Sequence, residues 1–249
     1  MTPREGVKRR TPSIAERILV NAKQMYRWGY QRGIMSNMPI QHIYARSDLQ
    51  IKKNSVKRVL SDEEIRLVWD ALDNSRMTRK NALFVKLCLM YGCRNGEMRL
   101  SNIEHWDAGA GKWTVPAENH KTGAKSGKPI IRPFFGKAIE LVNEAASLSM
   151  QGNKGPLFYN ANDTTRMSNK SPLQLPYNIM QWVKRHHGVD MEHWSMHDLR
   201  RTMRTRIASF TPPHIAEMMI GHVMPGGWKV YDHHDYLEEQ AESYLGNDY

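Results

Sequence analysis

The chain has 249 residues, 40% of them hydrophobic, with 36 Lys and Arg against 25 Asp and Glu and a formal net charge of +11. That apolar content supports a core and excludes a disordered basic tail. No apolar run approaches the roughly 18 residues of a membrane-spanning helix, and the basic N-terminus lacks the apolar segment of a secretory signal.

The charge is uneven. Residues 1–60 hold 13 Lys and Arg against 3 Asp and Glu, leaving 23 against 22 in the remainder. A polyanion partner fits that first quarter, with counterion release as the driving force; a solvated basic face fits it too. Residues 1–12, with Pro3, Gly6 and Pro12 among basic residues, read as a flexible arm. Ser13 and Glu16 have capping-box spacing, and Ile14, Ile18, Ala22, Met25, Tyr26 and Gly29 recur at helical period before Gly33 and Pro39. Such a helix cannot bury its apolar face alone. Residues 41–60 are polar and basic and read as a linker, either a plain connector or a segment lying along a phosphate backbone. Lys52, Lys53, Lys57 and Arg58 are its candidate phosphate contacts.

Ser61 opens the second domain, 61–249, with Glu64 completing another capping box and Ile65, Val68, Trp69 and Leu72 forming a stripe. Residues 81–91 are apolar nearly all round, the mark of a central buried helix, and Gly92 closes it. Cys93-Arg94-Asn95-Gly96-Glu97 follows directly. A charge there is costly without a fixed anionic partner, and that partner is either a ligand or Glu97 one turn away. Cys88 and Cys93 share this apolar stretch and read as reduced core thiols.

Residues 113–116 and 130–134 read as two strands joined by a long hairpin loop that carries Lys121, Lys125 and Lys128. Helices are expected over 136–149 and 173–187, with a strand over 156–159. The fold class is therefore mainly α with one small antiparallel sheet (α+β).

Ser195–Tyr231 is the densest stretch. Ser195 caps a helix with Asp198 three residues on, and Leu199, Met203 and Ile207 form its buried stripe. His197, Arg200 and Arg204 fall on a neighbouring stripe, with Arg201 beside them. His197 lies in the first turn, where the helix N-terminus favours a nearby phosphate and a neutral imidazole. Thr211 is read as the cap of the next helix, which Gly221 ends, presenting His222. A glycine-rich loop then leads to Tyr231. The arginines alone fit a solvated face, and Tyr231 alone fits a packing role. His193 and His197 lack the Cys pairs or HExxH pattern of a zinc site, so no metal and no cofactor is expected.

Arg94 with Glu97, Lys121 in a hairpin, His197-Asp198-Leu199-Arg200-Arg201-Thr202, Ile220-Gly221-His222 and Tyr231, in that order, resemble the tyrosine recombinase (phage integrase) family. The ending GHVMPGGWKVYDHHDYLEEQ looks most like integrases of P4-type phages and genomic islands. The resemblance covers about 61–245, and residues 13–40 look like only part of the family's helical core-binding domain. It implies a site-specific recombinase, metal- and ATP-independent, that cleaves and rejoins double-stranded DNA. Tyr231 would be the nucleophile, forming a 3′-phosphotyrosine. Arg94 and Arg200 would hold the scissile phosphate, Lys121 would protonate the leaving oxygen, His197 would take the tyrosine proton, and His222 would donate to a phosphate oxygen. Glu97 would support them, and Lys125, Arg201 and Arg204 would join the linker cations on DNA. Tyr236 is the competing tyrosine; its surroundings suggest a capped helix and packing. The resemblance further implies self-association as a tetramer on DNA, an optional directionality factor, a C-terminal tail from about 232, and a cytoplasmic, nucleoid-associated bacterial location. The alternatives are an idle or truncated integrase-like DNA-binding protein, a type IB topoisomerase or a metal nuclease.

Overall fold

The computed structural model describes residues 12–51, 58–149, 154–160, 165–222 and 236–246, apart from the side chains of residues 124 and 125. The chain divides into two compact units, Met1–Val56 and Lys57–Tyr249.

In the first unit, α1 spans Pro12–Gln31, so Ser13 lies inside the helix and does not cap it. Ile14, Ile18, Met25 and Trp28 are exposed along α1, and Gly29 is its one buried residue. Lys23 Nζ donates to the Gln41 carbonyl at 2.9 Å, tying α1 to the segment after it.

The second unit begins before the expected boundary. Leu60 is buried, and its amide donates to Thr202 Oγ1 at 3.0 Å. Helix α2 (Asp62–Asn74) has the expected Ser61–Glu64 capping box. Helix α3 (Arg79–Tyr91) is the centre of the core: Ala82 to Leu89 are all buried. Lys86 among them is compensated by Asp73, 2.6 Å from its Nζ. Gly92 ends α3 at φ +53, a left-handed conformation open to glycine without strain. Helices α6 (Gly136–Ser147), α7 (Ser171–His187) and α8 (Met196–Ile207) surround α2 and α3.

The sheet is three-stranded and antiparallel, in the order β1 (Trp106–Asp107), β2 (Lys112–Val115), β3 (Ile130–Pro133). The two-residue β1 was not expected; Trp106 in it stacks on Trp113 with ring centroids 4.4 Å apart. Residues 156–159 form only isolated bridges, Asn102 with Pro156 and Tyr159 with Arg166. The loop between β2 and β3 contains a short helix, α5 (Gly123–Ser126). Helix α9 (Pro213–Met219) starts after Pro212, and Thr211 is buried with no partner for its hydroxyl among the described residues, so it does not cap. Helix α10 (Leu237–Leu245) packs on β3 and α9, where Tyr244 donates to the carbonyls of Met219 at 3.3 Å and Tyr91 at 3.4 Å. Cys88 and Cys93 are buried free thiols.

Candidate active site

Arg94 stands at the N-cap of α4 (Asn95–Arg99), immediately after the left-handed Gly92 turns the chain out of α3. Its Nη1 donates to Glu97 Oε1 at 2.7 Å. Glu97 is 1% exposed, and its second oxygen accepts from Arg132 Nη2 at 2.8 Å. Burial opposes the Glu97 charge, but Arg132 and Arg94 outweigh it and hold the carboxyl below its ordinary range. Of the two partners expected for Arg94, the structure shows Glu97, which takes one nitrogen and leaves the side chain partly open.

Arg200 reaches the same place from α8. It is buried, and its Nη1 donates to the Gly92 carbonyl at 3.2 Å and to the Ile220 carbonyl. Its Nη2 is buried with no hydrogen-bond partner among the described residues. Burial, with the neighbouring Arg94 charge, pushes its pKa down to about 10, so it remains a cation at neutral pH. An unmatched buried guanidinium N–H is costly and calls for an acceptor.

His197 lies one turn before Arg200 and is exposed in the first turn of α8, between the buried Met196 and Asp198. Ser195 donates its amide at 2.9 Å and its hydroxyl at 2.7 Å to Asp198, which fixes that helix start. Desolvation first, then the charges of Arg201, Arg200 and Arg94, lower the His197 pKa and favour the neutral ring.

His222 follows Gly221, whose φ of +69 turns the chain sharply after α9. Its Nδ1 is 2.5 Å from Glu217 Oε2, and Glu217 Oε1 accepts from Arg204 Nε at 3.0 Å. Glu217 was not singled out from the sequence. The signal was five positions upstream of His222, a spacing that a helix alone does not join; the left-handed Gly221 folds the histidine back.

Lys121 is exposed on the loop between β2 and β3 and has no ion pair or hydrogen bond among the described residues. The buried His120 beside it pins that loop: Nε2 donates to the Lys128 carbonyl at 3.1 Å, which leaves Nδ1 to accept from Thr122 Oγ1 at 3.1 Å. The structure therefore gathers Arg94, Glu97, His197 and Arg200 and ties the His222 turn to them through Ile220. No described contact ties Lys121 to that group.

The expected DNA contacts fare differently. Arg58 is engaged by Glu64 and by Glu192 at 3.5 Å, and its side chain is 10% exposed, so it braces the start of α2 inside the unit. Arg201 pairs with Asp198 at 2.6 Å and Arg204 with Glu217, each with part of its side chain open. Tyr231, Lys52, Lys53, Lys57 and the Lys125 side chain lie outside the described residues, as do most of the arm and the first part of the tail. Tyr236, the competing tyrosine, precedes α10 and packs edge-on against His214 at 5.7 Å. Among the described residues no group of three His, Cys, Asp or Glu is arranged to hold a metal. None of their helices is long and apolar enough to cross a membrane.

The phage integrase family model matches residues 58–238. No curated protein matches. Among solved structures, a lambda integrase tetramer bound to a Holliday junction superposes with a TM-score of 0.64 at 15% identity, over 87% of this chain and 60% of that one. The Tn1549 transposon integrase, residues 82–397 in complex with circular intermediate DNA, gives 0.65 at 14% identity, over 94% and 79%. The integrase from mycobacterium phage Brujita gives 0.60 at 16% identity, over 98% and 75%. At these identities the likeness is one of fold. The chain spans 60% of the length of that lambda integrase.

Proposed function

The chain belongs to the phage integrase family, and from that premise we propose that it is a site-specific DNA recombinase that cleaves and rejoins strands through a 3′-phosphotyrosine on Tyr231. One observation carries the reading: Arg200, from α8, bonds the Gly92 carbonyl two residues before Arg94, and its Nη2 is buried with no hydrogen-bond partner among the described residues. Arg94 and Arg132 pair with Glu97, and Arg200 lies near enough to feel all three charges, so positive charge exceeds negative there. That excess suits a phosphodiester whose transition state gathers charge on its non-bridging oxygens.

In this reading Arg94 and Arg200 donate to those oxygens. The neutral His197 takes the Tyr231 phenol proton, and the phenolate oxygen attacks phosphorus in line. The 5′-oxygen leaves with a proton from Lys121, and His222, held by Glu217, donates to a phosphate oxygen. The bond to Tyr231 preserves the ester, so rejoining by the 5′-hydroxyl needs neither ATP nor metal. Double-stranded DNA is the partner, with Lys52, Lys53, Lys57, Lys125, Arg201 and Arg204 toward its backbone. Two of the solved relatives are bound to DNA assemblies, one as a tetramer. We extend that assembly to this chain, together with a directionality factor and a cytoplasmic, nucleoid-associated location. The ending GHVMPGGWKVYDHHDYLEEQ supports a P4-type or genomic-island integrase. The division into a core-binding segment (13–40), linker (41–60) and catalytic domain (61–249) belongs to the same reading.

A suicide substrate tests it. A cognate site nicked next to the scissile phosphate loses its 5′-hydroxyl fragment, so the covalent adduct accumulates on denaturing gels. An adduct that forms in EDTA without nucleotide supports the reading; noncovalent binding with no adduct would leave an idle DNA-binding protein.

A further inference from the structure

We infer that Arg132 is a positioning residue of strand cleavage, acting through Glu97 on Arg94; the inference rests on the recombinase reading above. Arg132 lies on β3, is 0% exposed, and faces Trp113 across the sheet with its guanidinium 4.9 Å from that ring. A fully buried arginine between Ile131 and Pro133 is not needed to build a strand. Its bonds point at the active site. Nη2 holds Glu97 Oε2 at 2.8 Å, and Nε donates to the Met219 carbonyl at 2.8 Å, at the end of α9 that leads to Gly221 and His222.

The consequence for Arg94 follows from carboxylate geometry. A free carboxylate facing an arginine frequently forms two parallel bonds, using two of its nitrogens. Here Oε2 accepts from Arg132 Nη2 at 2.8 Å and from the Arg94 amide at 3.3 Å, so the Arg94 side chain keeps one bond, Nη1 to Oε1 at 2.7 Å. The Nε and Nη2 of Arg94 have no partner among the described residues and remain available to a phosphate oxygen. Without Arg132, Glu97 would be free to close both oxygens on Arg94 and draw it from the phosphate. Arg132 also adds a fixed positive charge next to Arg200.

The test compares wild type, Arg94→Ala, Arg132→Met and Arg132→Lys in single-turnover cleavage of three suicide substrates. One carries the ordinary scissile phosphate, and two carry the separate methylphosphonate diastereomers, in which one non-bridging oxygen is a neutral methyl group. On the phosphate substrate, Arg132→Met is expected to lose about 100-fold in cleavage rate, the scale of a misplaced group, with DNA affinity unchanged. The diastereomer that removes the Arg94→Ala defect should remove most of the Arg132→Met defect. Arg132→Lys, which keeps the ion pair with Glu97, should lose less and show the same preference. If Arg132→Met folds poorly in a thermal melt, Arg132→Lys alone carries the comparison. Equal losses on all three substrates, beside a selective Arg94→Ala, would overturn the inference and leave Arg132 a structural residue. No adduct with wild type on any substrate would overturn the recombinase reading itself.

Discussion

Arg200 donates to the carbonyl of Gly92 across 3.2 Å, although 108 residues separate them. That bond joins the N-terminal half of α8 to the end of α3, so both proposed phosphate-binding arginines depend on one turn. Replacing Arg200 by Ala should cut the single-turnover cleavage rate by about 100- to 1,000-fold, the range for removing a preorganised donor. Arg200→Lys should recover little of it, because an ammonium cannot span the two carbonyls and a phosphate with a planar fork. Full activity in Arg200→Lys would show that charge alone suffices.

Gly92 itself gives a stability prediction. At φ +53, a Cβ there would lie 2.7 Å from Met203 Sδ. Gly92→Ala combines backbone strain with overpacking and should destabilise the chain by about 1–3 kcal/mol. The thermal midpoint should fall by about 2–4 °C for each of those kcal/mol. An unchanged midpoint would mean that the turn relaxes freely.

The pH dependence should follow His197. Desolvation and the nearby arginines lower its pKa below 6.5 in the fold. The neutral ring, the form able to accept the tyrosine proton, then predominates at and above pH 6.5. Cleavage should hold its rate down to about that pH and decline only below it, and His197→Gln should remove the acid limb. The stability sign follows from proton binding. Between the lowered folded pKa and 6.5 the unfolded chain binds more protons, so this group's contribution to stability grows with pH through that window. A rate already halved at pH 7 would contradict the lowered pKa.

Glu217 should matter for cleavage more than for folding. It bridges His222 Nδ1 at 2.5 Å and Arg204 Nε at 3.0 Å. Glu217→Ala frees the ring and should slow cleavage about 10-fold, less than the roughly 100-fold or more of losing a proton donor outright, because His222 itself remains. Glu217→Gln keeps an acceptor and should fall between that variant and wild type. Identical rates for all three would remove Glu217 from the site.

Local signals made much of this legible. The apolar run at 81–91 announced the central helix, and the three-residue spacing of Arg94 and Glu97 announced their pair. The order of Arg94, His197, Arg200 and His222 announced the family. Interactions that depend on chain reversal were hidden. Arg132 is 35 residues from Glu97 and sits in an apolar strand, so no periodicity marks it as a partner. Strand β1 has two residues and exists because Trp106 stacks on Trp113, a tertiary contact. The same holds for Thr211, whose sequence position looked like a cap but whose hydroxyl is buried beside α9.

Covalent bonding of Tyr231 to DNA can be read by peptide mapping of the trapped adduct. The peptide containing Tyr231 should carry an attached nucleotide. Adduct should be absent in Tyr231→Phe and retained in Tyr236→Phe, whose ring packs against His214. An adduct that persists in Tyr231→Phe, or maps to Tyr236, would contradict that bonding.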